Sequence, residues 1–344
     1  MGRVKAAARN IIFGYIGNLT TQLLGFVLRT IFIRHLGQTL NGVNALYTGI
    51  LSVLSMAELG IGTALNYSLY KPVIHKDYEK IKSYMLLYKK AYRIIGFVVA
   101  GIGLVIVPFL PYLVKQPEGV TLRDLTLYYL IFLFNTVSSY FVAYKYSLVN
   151  AEQKNYIQTN IITVTKMITV TLQIIVILTT GNFYAYLLTA ATVELLQKIF
   201  VSRYLNNMYP YLKEKDIKPL TKEEVGEVVK KTKALVLHKV GDVARLQTDA
   251  MIISGFINVT LSGIVDNYNL VISSVSNFVN IIFNSVLSSF GNLIATESRQ
   301  KQYEIFKVYR FFACWIYGFS ATGFLLLLTP LVCSPCGSSD LYFN

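Results

Sequence analysis

Charged residues are spread unevenly along the chain, and among the long stretches that carry none five stand out. These are Ile94–Val114 (21 residues), Leu125–Tyr144 (20), Met167–Val193 (27), Asn267–Thr296 (30) and Phe311–Ser339 (29). A helix needs about 20 apolar residues to cross the hydrocarbon core of a bilayer, so each run reads as at least one membrane span. Extending the reading to the apolar segments between charged clusters predicts nine helices, over about 10–33, 43–67, 94–114, 125–147, 157–178, 184–205, 234–256, 264–290 and 308–332. A membrane β-barrel would show segments of about ten residues with alternating polarity instead. The predicted fold class is all-α: a polytopic membrane protein built as two parallel-repeat lobes, the second incomplete.

Composition agrees. Of the 344 residues, 54% are hydrophobic and only 15% charged, with a mean hydropathy of +0.49; soluble domains carry about 25% charged residues. The net charge of +14 would fit a nucleic-acid partner, but its distribution excludes that class. With the N-terminus inside, the inner loops hold 24 Lys or Arg and the outer loops three: Arg34, Lys115 and Arg123. That asymmetry is the positive-inside rule. It predicts a cytoplasmic N-terminus, and an inner face able to hold anionic membrane lipid. The start, Met-Gly-Arg-Val-Lys, runs into a full-length span without a small-residue cleavage site, so the first span is expected to be retained. Cys333-Ser-Pro-Cys336 has metal or redox spacing, but no second cysteine pair or nearby histidine completes a site.

The chain repeats itself. Thr39–Ser55 aligns with Thr260–Ser276 without gaps at an offset of 221, with Thr39/Thr260, Leu40/Leu261, Gly42/Gly263, Tyr47/Tyr268, Ser52/Ser273 and Ser55/Ser276 identical. Six predicted spans precede the second copy, so both copies enter the membrane in the same direction. This is a parallel repeat about an axis along the membrane normal, a hallmark of transporter folds. The expected organisation is a six-helix lobe over 1–205, a cytoplasmic linker over 206–233, three helices of a second lobe over 234–332, and a tail over 333–344 that breaks the membrane pattern. The linker ends with Glu223, Glu224 and Glu227 followed by Lys230, Lys231 and Lys233, the pattern of a surface helix. The second lobe lacks three helices present in the first, as a truncated or artificial end would leave it.

Charges within the spans are the functional signal, because a charge at the bilayer centre costs about 2.5–3.5 kcal/mol on insertion scales. In the seventh span His238, Asp242, Arg245 and Asp249 fall at steps of four, three and four, on one helical face. Two readings stand: a paired network bonding the lobes, or the wall of a wet cavity for a polar substrate or ion. The first span repeats the theme with Asn18, Gln22, Gly25 and Arg29 at the same steps, although Arg29 near the outer end could instead extend its head group to water. Lys166 lies near mid-depth of the fifth span, Glu58 in the second toward an inner mouth, and Glu194 with Lys198 forms an i,i+4 pair in the sixth. Arg29, Lys166 and Arg245 would give a cavity cationic points, and the planar arginine fork suits phosphate. No Walker A sequence or His-Glu-x-x-His pattern is present. The chain reads as a non-enzyme with no cofactor and no metal, with any work drawn from an ion gradient, the membrane potential or consumption of product.

The segment 10–76 resembles the start of bacterial oligosaccharide flippases of the multidrug/oligosaccharidyl-lipid/polysaccharide exporter superfamily. The resemblance rests on Arg29-Thr-Ile-Phe-Ile-Arg-His-Leu-Gly37, Leu54-Ser-Met-Ala-Glu-Leu-Gly60 and Tyr67-Ser-Leu-Tyr-Lys-Pro72, with Thr248-Asp-Ala-Met-Ile-Ile-Ser254, Asn267-Tyr-Asn269 and Gly291-Asn-Leu-Ile-Ala295 in the second lobe. It covers about residues 5–332. It implies twelve to fourteen spans in two lobes around a central cavity, and movement of polyprenyl-diphosphate-linked oligosaccharide repeat units to the outer leaflet for surface polysaccharide. The implied partners are the lipid-linked oligosaccharide, membrane lipid, a coupling cation (H+ or Na+) and polysaccharide-assembly enzymes. Arg29, Asp242, Arg245, Asp249 and Lys166 are carried to the cavity on that basis. Two alternatives remain: a drug/cation antiporter of the same superfamily, and a non-transporting membrane scaffold for polysaccharide assembly.

Overall fold

The computed structural model describes residues 3–58, 61–114, 120–152, 154–214, 217–296 and 298–333, and their side chains except at 3–11, 56–57, 63, 213, 231, 234–247, 281–296 and 333. Among the described residues the chain is all-helical, with no strand. The order is α1 (Arg3–Leu54), a 3-10 turn (Ser55–Glu58), α2 (Ile61–His75), α3 (Tyr78–Ile106), a 3-10 turn (Val107–Phe109) leading into α4 (Leu110–Leu113), α5 (Leu122–Ala151), α6 (Asn155–Thr180), α7 (Phe183–Met208), a 3-10 turn (Pro210–Lys213), α8 (Lys222–Phe256), α9 (Val259–Thr296) and α10 (Arg299–Cys333). Six stretches are long and apolar enough to cross a membrane among the described residues: Ile12–Leu54, Tyr78–Leu113, Leu122–Ala151, Asn155–Thr180, Phe183–Met208 and Arg299–Val332. The expected spans 234–256 and 264–290 fall in α8 and α9, where many side chains lie outside the described set. The tail with Cys336 lies outside the described residues too.

Helix boundaries differ from the sequence expectation for identifiable reasons. The expected loop between the first two spans, 34–42, is a single non-helical residue, Gly37, with φ 84° and ψ 165°. Side-chain-bearing residues are strained there, and glycine is not. The expected second span, 43–67, is not one helix: it breaks into the 3-10 turn Ser55–Glu58 before α2 begins at Ile61. α3 begins at Tyr78, well before its charge-free stretch, and α5 runs on to Ala151, past the end of its own. Lys82 lies within α3 and Lys145 within α5, and both are buried. A charge-free run marks the hydrocarbon thickness, whereas a helix continues wherever its polar side chains find partners or water.

Two compact units divide the chain, Met1–Gly263 and Ile264–Asn344. Within the first, α1 packs on α6, α3 and α7 on α5, and α8 on α1 and α2. Two buried clusters hold this bundle. One gathers Leu65, Met85, Tyr88, Tyr140, Leu148 and Leu205; the other gathers Phe32, Leu46, Tyr47, Tyr129, Val170 and Phe183. Outward positions are apolar as well, including Ile94, Phe97 and Val105 on α3, as expected of helices bathed in lipid. In the second unit, α10 likewise exposes Phe319 and Leu325.

Polar caps end the helices. Thr121 and Asp124 form a reciprocal capping box at the start of α5, and Thr221 and Glu224 do the same for α8. Gly181, at φ 56°, closes α6. The amphipathic end of the linker is helical as its charge pattern predicts, but it continues into the seventh span as one 35-residue helix, α8. The linker is tied to α3: Lys82 Nζ donates to Glu214 Oε2 at 2.7 Å, Ser83 Oγ to the Lys218 carbonyl at 2.6 Å, and Lys80 Nζ sits 2.8 Å from Glu224 Oε1.

The repeat copies meet at corresponding residues. Thr39 Oγ1 lies 3.1 Å from Thr260 Oγ1, the pair at the 221-residue offset. Gly42 and its counterpart Gly263 bring two backbones into contact. A Cβ on Gly263 would sit 2.6 Å from the Gly42 nitrogen and 2.7 Å from the Gln38 carbonyl, and one on Gly42 would overlap the Val259 carbonyl.

Gly42→Ala is therefore expected to destabilise the fold by about 1–3 kcal/mol through overpacking, because the obstructing atom is backbone and cannot rotate away. Gly101→Ala, where the added Cβ meets nothing within 4 Å, should leave thermal melting in detergent unchanged or raised; equal melting of both variants would contradict the crossing. At Glu224 the hydrogen bond from Lys80, with the Thr221 N–H second, holds the carboxyl below its ordinary value. A lowered folded value stabilises above the unfolded pKa of about 4.3 and is lost as pH falls through the folded one. Hydrogen-exchange protection in the first turn of α8 should exceed that of Glu224→Gln at about pH 6 and converge with it below about pH 4; indistinguishable protection at both would refute the tie.

Candidate functional site

The polar face of the first span is present, with its members in different surroundings. Asn18 is exposed, while Gln22 and Arg29 are half-buried. Gln22 Oε1 is buried and has no hydrogen-bond partner among the described residues. On a straight helix Arg29 and Asn41 would be about 18 Å apart along the axis. The break at Gly37 lets their side chains meet instead: Arg29 Nη1 donates to Asn41 Oδ1. Asn41 is 1% exposed. Its amide passes the connection on, donating to the Gly263 carbonyl at 2.8 Å and to Gln38 Oε1 at 3.3 Å. A cation on the polar face is thereby tied to the point where the repeats touch.

Lys166 on α6 is half-buried and lies within electrostatic range of Glu194 and Arg29. The structure thus brings two of the expected cationic residues, Arg29 and Lys166, into one neighbourhood. Glu194 and Lys198 form the expected i,i+4 pair, 3.9 Å apart, but a neutral residue mediates it. Asn135 on α5 donates to Glu194 Oε2 at 2.7 Å and accepts from Lys198 Nζ at 2.6 Å; Lys198 also reaches the Asn135 carbonyl and Ser138 Oγ at 2.9 Å each. Sequence reasoning missed Asn135 and Ser138. Their only signal is that a buried lysine needs oxygen acceptors, which on a neighbouring helix Asn and Ser supply.

Glu58 stands in the 3-10 turn between α1 and α2, half-buried and close to Tyr140 and Tyr92; the Tyr140 hydroxyl donates to Ser55 Oγ at 2.8 Å. Asp249 on α8 is exposed. The side chains of His238, Asp242 and Arg245 lie outside the described residues.

The fold these elements form is shared with solved transporters. An inward-facing conformation of a multidrug resistance MATE family transporter of the MOP superfamily matches with a TM-score of 0.64 and 15% identity, over 94% of this chain and 76% of that one. A MOP superfamily transporter from Pyrococcus furiosus Vc1, whose binding pocket is described as reversed in polarity, matches with a TM-score of 0.63 and 15% identity, over 98% and 75%. A MATE in complex with MaD3S gives 0.56 and 15%, over 95% and 74%. No protein-family model matches the sequence, and no curated protein does. The expected fold class holds: an all-helical membrane protein with the fold of the MATE transporters.

Removing the mediator should expose the cost of the buried lysine. Asn135→Ala leaves Lys198 and Glu194 without their shared partner, and an unsatisfied buried polar group costs about 1–3 kcal/mol. A clear drop in melting temperature is expected, largely recovered by adding Lys198→Met. An unchanged melting temperature for Asn135→Ala would show that the network carries no stability.

Proposed function

We propose that this chain is a membrane transporter of the MOP type that moves an anionic, lipid-linked cargo by alternating exposure of a polar face between its two repeats. In this reading the cargo is a polyprenyl-diphosphate-linked oligosaccharide, moved from the inner to the outer leaflet of the bacterial cytoplasmic membrane for surface polysaccharide. The observation that carries the proposal is the connection from Arg29 through Asn41 to the Gly263 carbonyl. A diphosphate offers the guanidinium a stronger, two-pronged partner than one amide oxygen. Cargo that takes Arg29 withdraws the bond holding Asn41, and so weakens the contact between the repeats. Binding and opening are then one event, as any ligand-driven shift requires differential affinity for the two states.

Asn18, Gln22 and Lys166 complete the polar face in this account, with His238, Asp242, Arg245 and Asp249 contributed by α8 and Glu58 at the inner mouth. A coupling cation, H+ or Na+, and contact with polysaccharide-assembly enzymes belong to the same proposal. The positive-inside distribution supports a cytoplasmic N-terminus, and the fold of the solved neighbours supports transport rather than catalysis.

A drug/cation antiporter is the second reading, and it too has support. One solved neighbour is a multidrug resistance transporter, and the carboxylates Glu58 and Glu194 are suited to a cation. Proteoliposomes separate the two. Flipping of a lipid-linked oligosaccharide is expected, falling at least about tenfold for Arg29→Gln, the worth of about 1.4 kcal/mol in transition-state stabilisation, and falling also for Arg29→Lys, which keeps the charge but loses the fork. Cation-driven efflux of a cationic dye without flipping, or full flipping by folded Arg29→Gln, would overturn the flippase reading.

A further inference from the structure

The first unit contains a second basic site, remote from the polar face of α1. A cavity of about 680 Å³ opens at the inner ends of α3, α5 and α7 and is closed over by the linker. Its charged lining is Lys82, Lys89, Arg93, Lys145 and Glu214, four cations against one carboxylate. That carboxylate is already engaged, since Glu214 pairs with Lys82 at 2.7 Å and Lys82 pairs again with Glu79 at 2.5 Å. Lys145 is 8% exposed, and its ammonium is held only by neutral groups of α7: Ser202 Oγ at 2.8 Å, Asn206 Oδ1 at 2.9 Å and the Ser202 carbonyl at 3.3 Å. Lys89 is close enough to act on Lys145 electrostatically, as Arg93 is on Tyr144. Among the described residues no carboxylate lies within ion-pair distance of Lys89, Arg93 or Lys145. Among the described residues these three cations thus share the cavity with a single carboxylate, Glu214, that is already paired with Lys82, an arrangement that an incoming anion would relieve.

The surface beside the cavity identifies the kind of anion. Phe141, which lines it, is 42% exposed and pairs with Phe97 at 6.3 Å. Phe97 is 68% and Ile94 64% exposed on α3, next to Arg93 and one turn further toward the bilayer centre. An apolar track therefore leads from the basic cavity along the outside of the bundle. A free phosphate would use the cations and leave the track idle. A phosphate attached to acyl chains uses both.

We propose that this cavity binds the phosphate headgroup of an anionic membrane lipid, with the lipid's acyl chain lying along Ile94, Phe97 and Phe141. The site sits at the end of the bundle that the positive-inside distribution places in the cytoplasmic leaflet, where basic pockets between helices hold such headgroups. Arg93 supplies the planar fork, Lys89 and Lys145 the point charges. Because the linker residues Leu212, Glu214 and Ile217 close the cavity, an occupied site also secures the linker against the bundle. The inference requires residence in a membrane but not the transport reading, and its test measures binding alone.

The full chain in detergent is titrated with phosphatidylglycerol, phosphatidylcholine or inorganic phosphate, and bound lipid is counted by native mass spectrometry. Phosphatidylglycerol should bind at least about tenfold more tightly than phosphatidylcholine, and Lys89→Gln with Arg93→Gln should weaken it about fivefold for each cation removed. Arg93 is exposed and Lys89 half-buried, and folding is checked by circular dichroism. The pair Lys230→Gln and Lys233→Gln, which removes the same charge from the linker helix, should leave the preference intact. Equal binding of the two lipids, or an undiminished preference in the folded Lys89/Arg93 variant, would overturn the proposal. Inorganic phosphate binding that depends on Lys89 and Arg93, with no gain from acyl chains, would replace the lipid with a free anion and overturn it equally.

Discussion

Two helix backbones touch only where no side chain stands between them, and Gly42 and Gly263 satisfy that condition at the same point of the two repeats. Much of the first unit follows from this contact. It fixes Thr39 against Thr260 and buries Asn41 beside the Gly263 carbonyl. It also requires α1 to change direction just before the crossing, which Gly37 permits at φ 84°. That turn is what allows Arg29, twelve residues before Asn41, to reach it. The close approach explains why glycine occupies both positions: a Cβ at either one would meet backbone atoms of the other segment.

A bundle this apolar treats its internal cations in two ways. Lys198 and Lys145 are surrounded by oxygens of the neighbouring helix, Asn135 and Ser138 for one, Ser202 and Asn206 for the other. Lys198, with Glu194 beside it, is part of a satisfied network, and its role is structural. Lys166 lies within electrostatic range of Glu194 as well as of Arg29, whereas the cavity lined by Lys89, Arg93 and Lys145 gathers three cations. Like charges held together in a low-dielectric setting raise the affinity for an incoming anion, which is why we propose a ligand for that cavity and not for Lys198.

The sequence made some levels of this organisation readable and left others hidden. Charge-free runs located the helices because the bilayer sets their length, and the 221-residue repeat announced itself through six identities. The identities could not show that the copies meet at Thr39 and Thr260, since a repeat carries no information on where its axis passes. The turn at Gly37 read as a nine-residue loop because polarity, not backbone geometry, was the available signal. Lys145, the first charge after an apolar run, falls near the end of the expected span 125–147 and resembles a boundary; its burial against α7 depends on Ser202 and Asn206, neutral residues with no pattern of their own. The basic cavity joins residues of three helices and the linker, and no local spacing reveals such a cluster.

The proposed function requires the contact between Thr39–Gly42 and Thr260–Gly263 to open during transport. It is tested most directly by a disulfide at the crossing. With Cys314, Cys333 and Cys336 replaced by serine, Thr39→Cys and Thr260→Cys should oxidise efficiently, their native hydroxyls being 3.1 Å apart. The oxidised protein should bind lipid-linked cargo yet lose flipping, and reduction should restore it. Failure of the pair to cross-link, or full flipping by the cross-linked protein, would contradict the account.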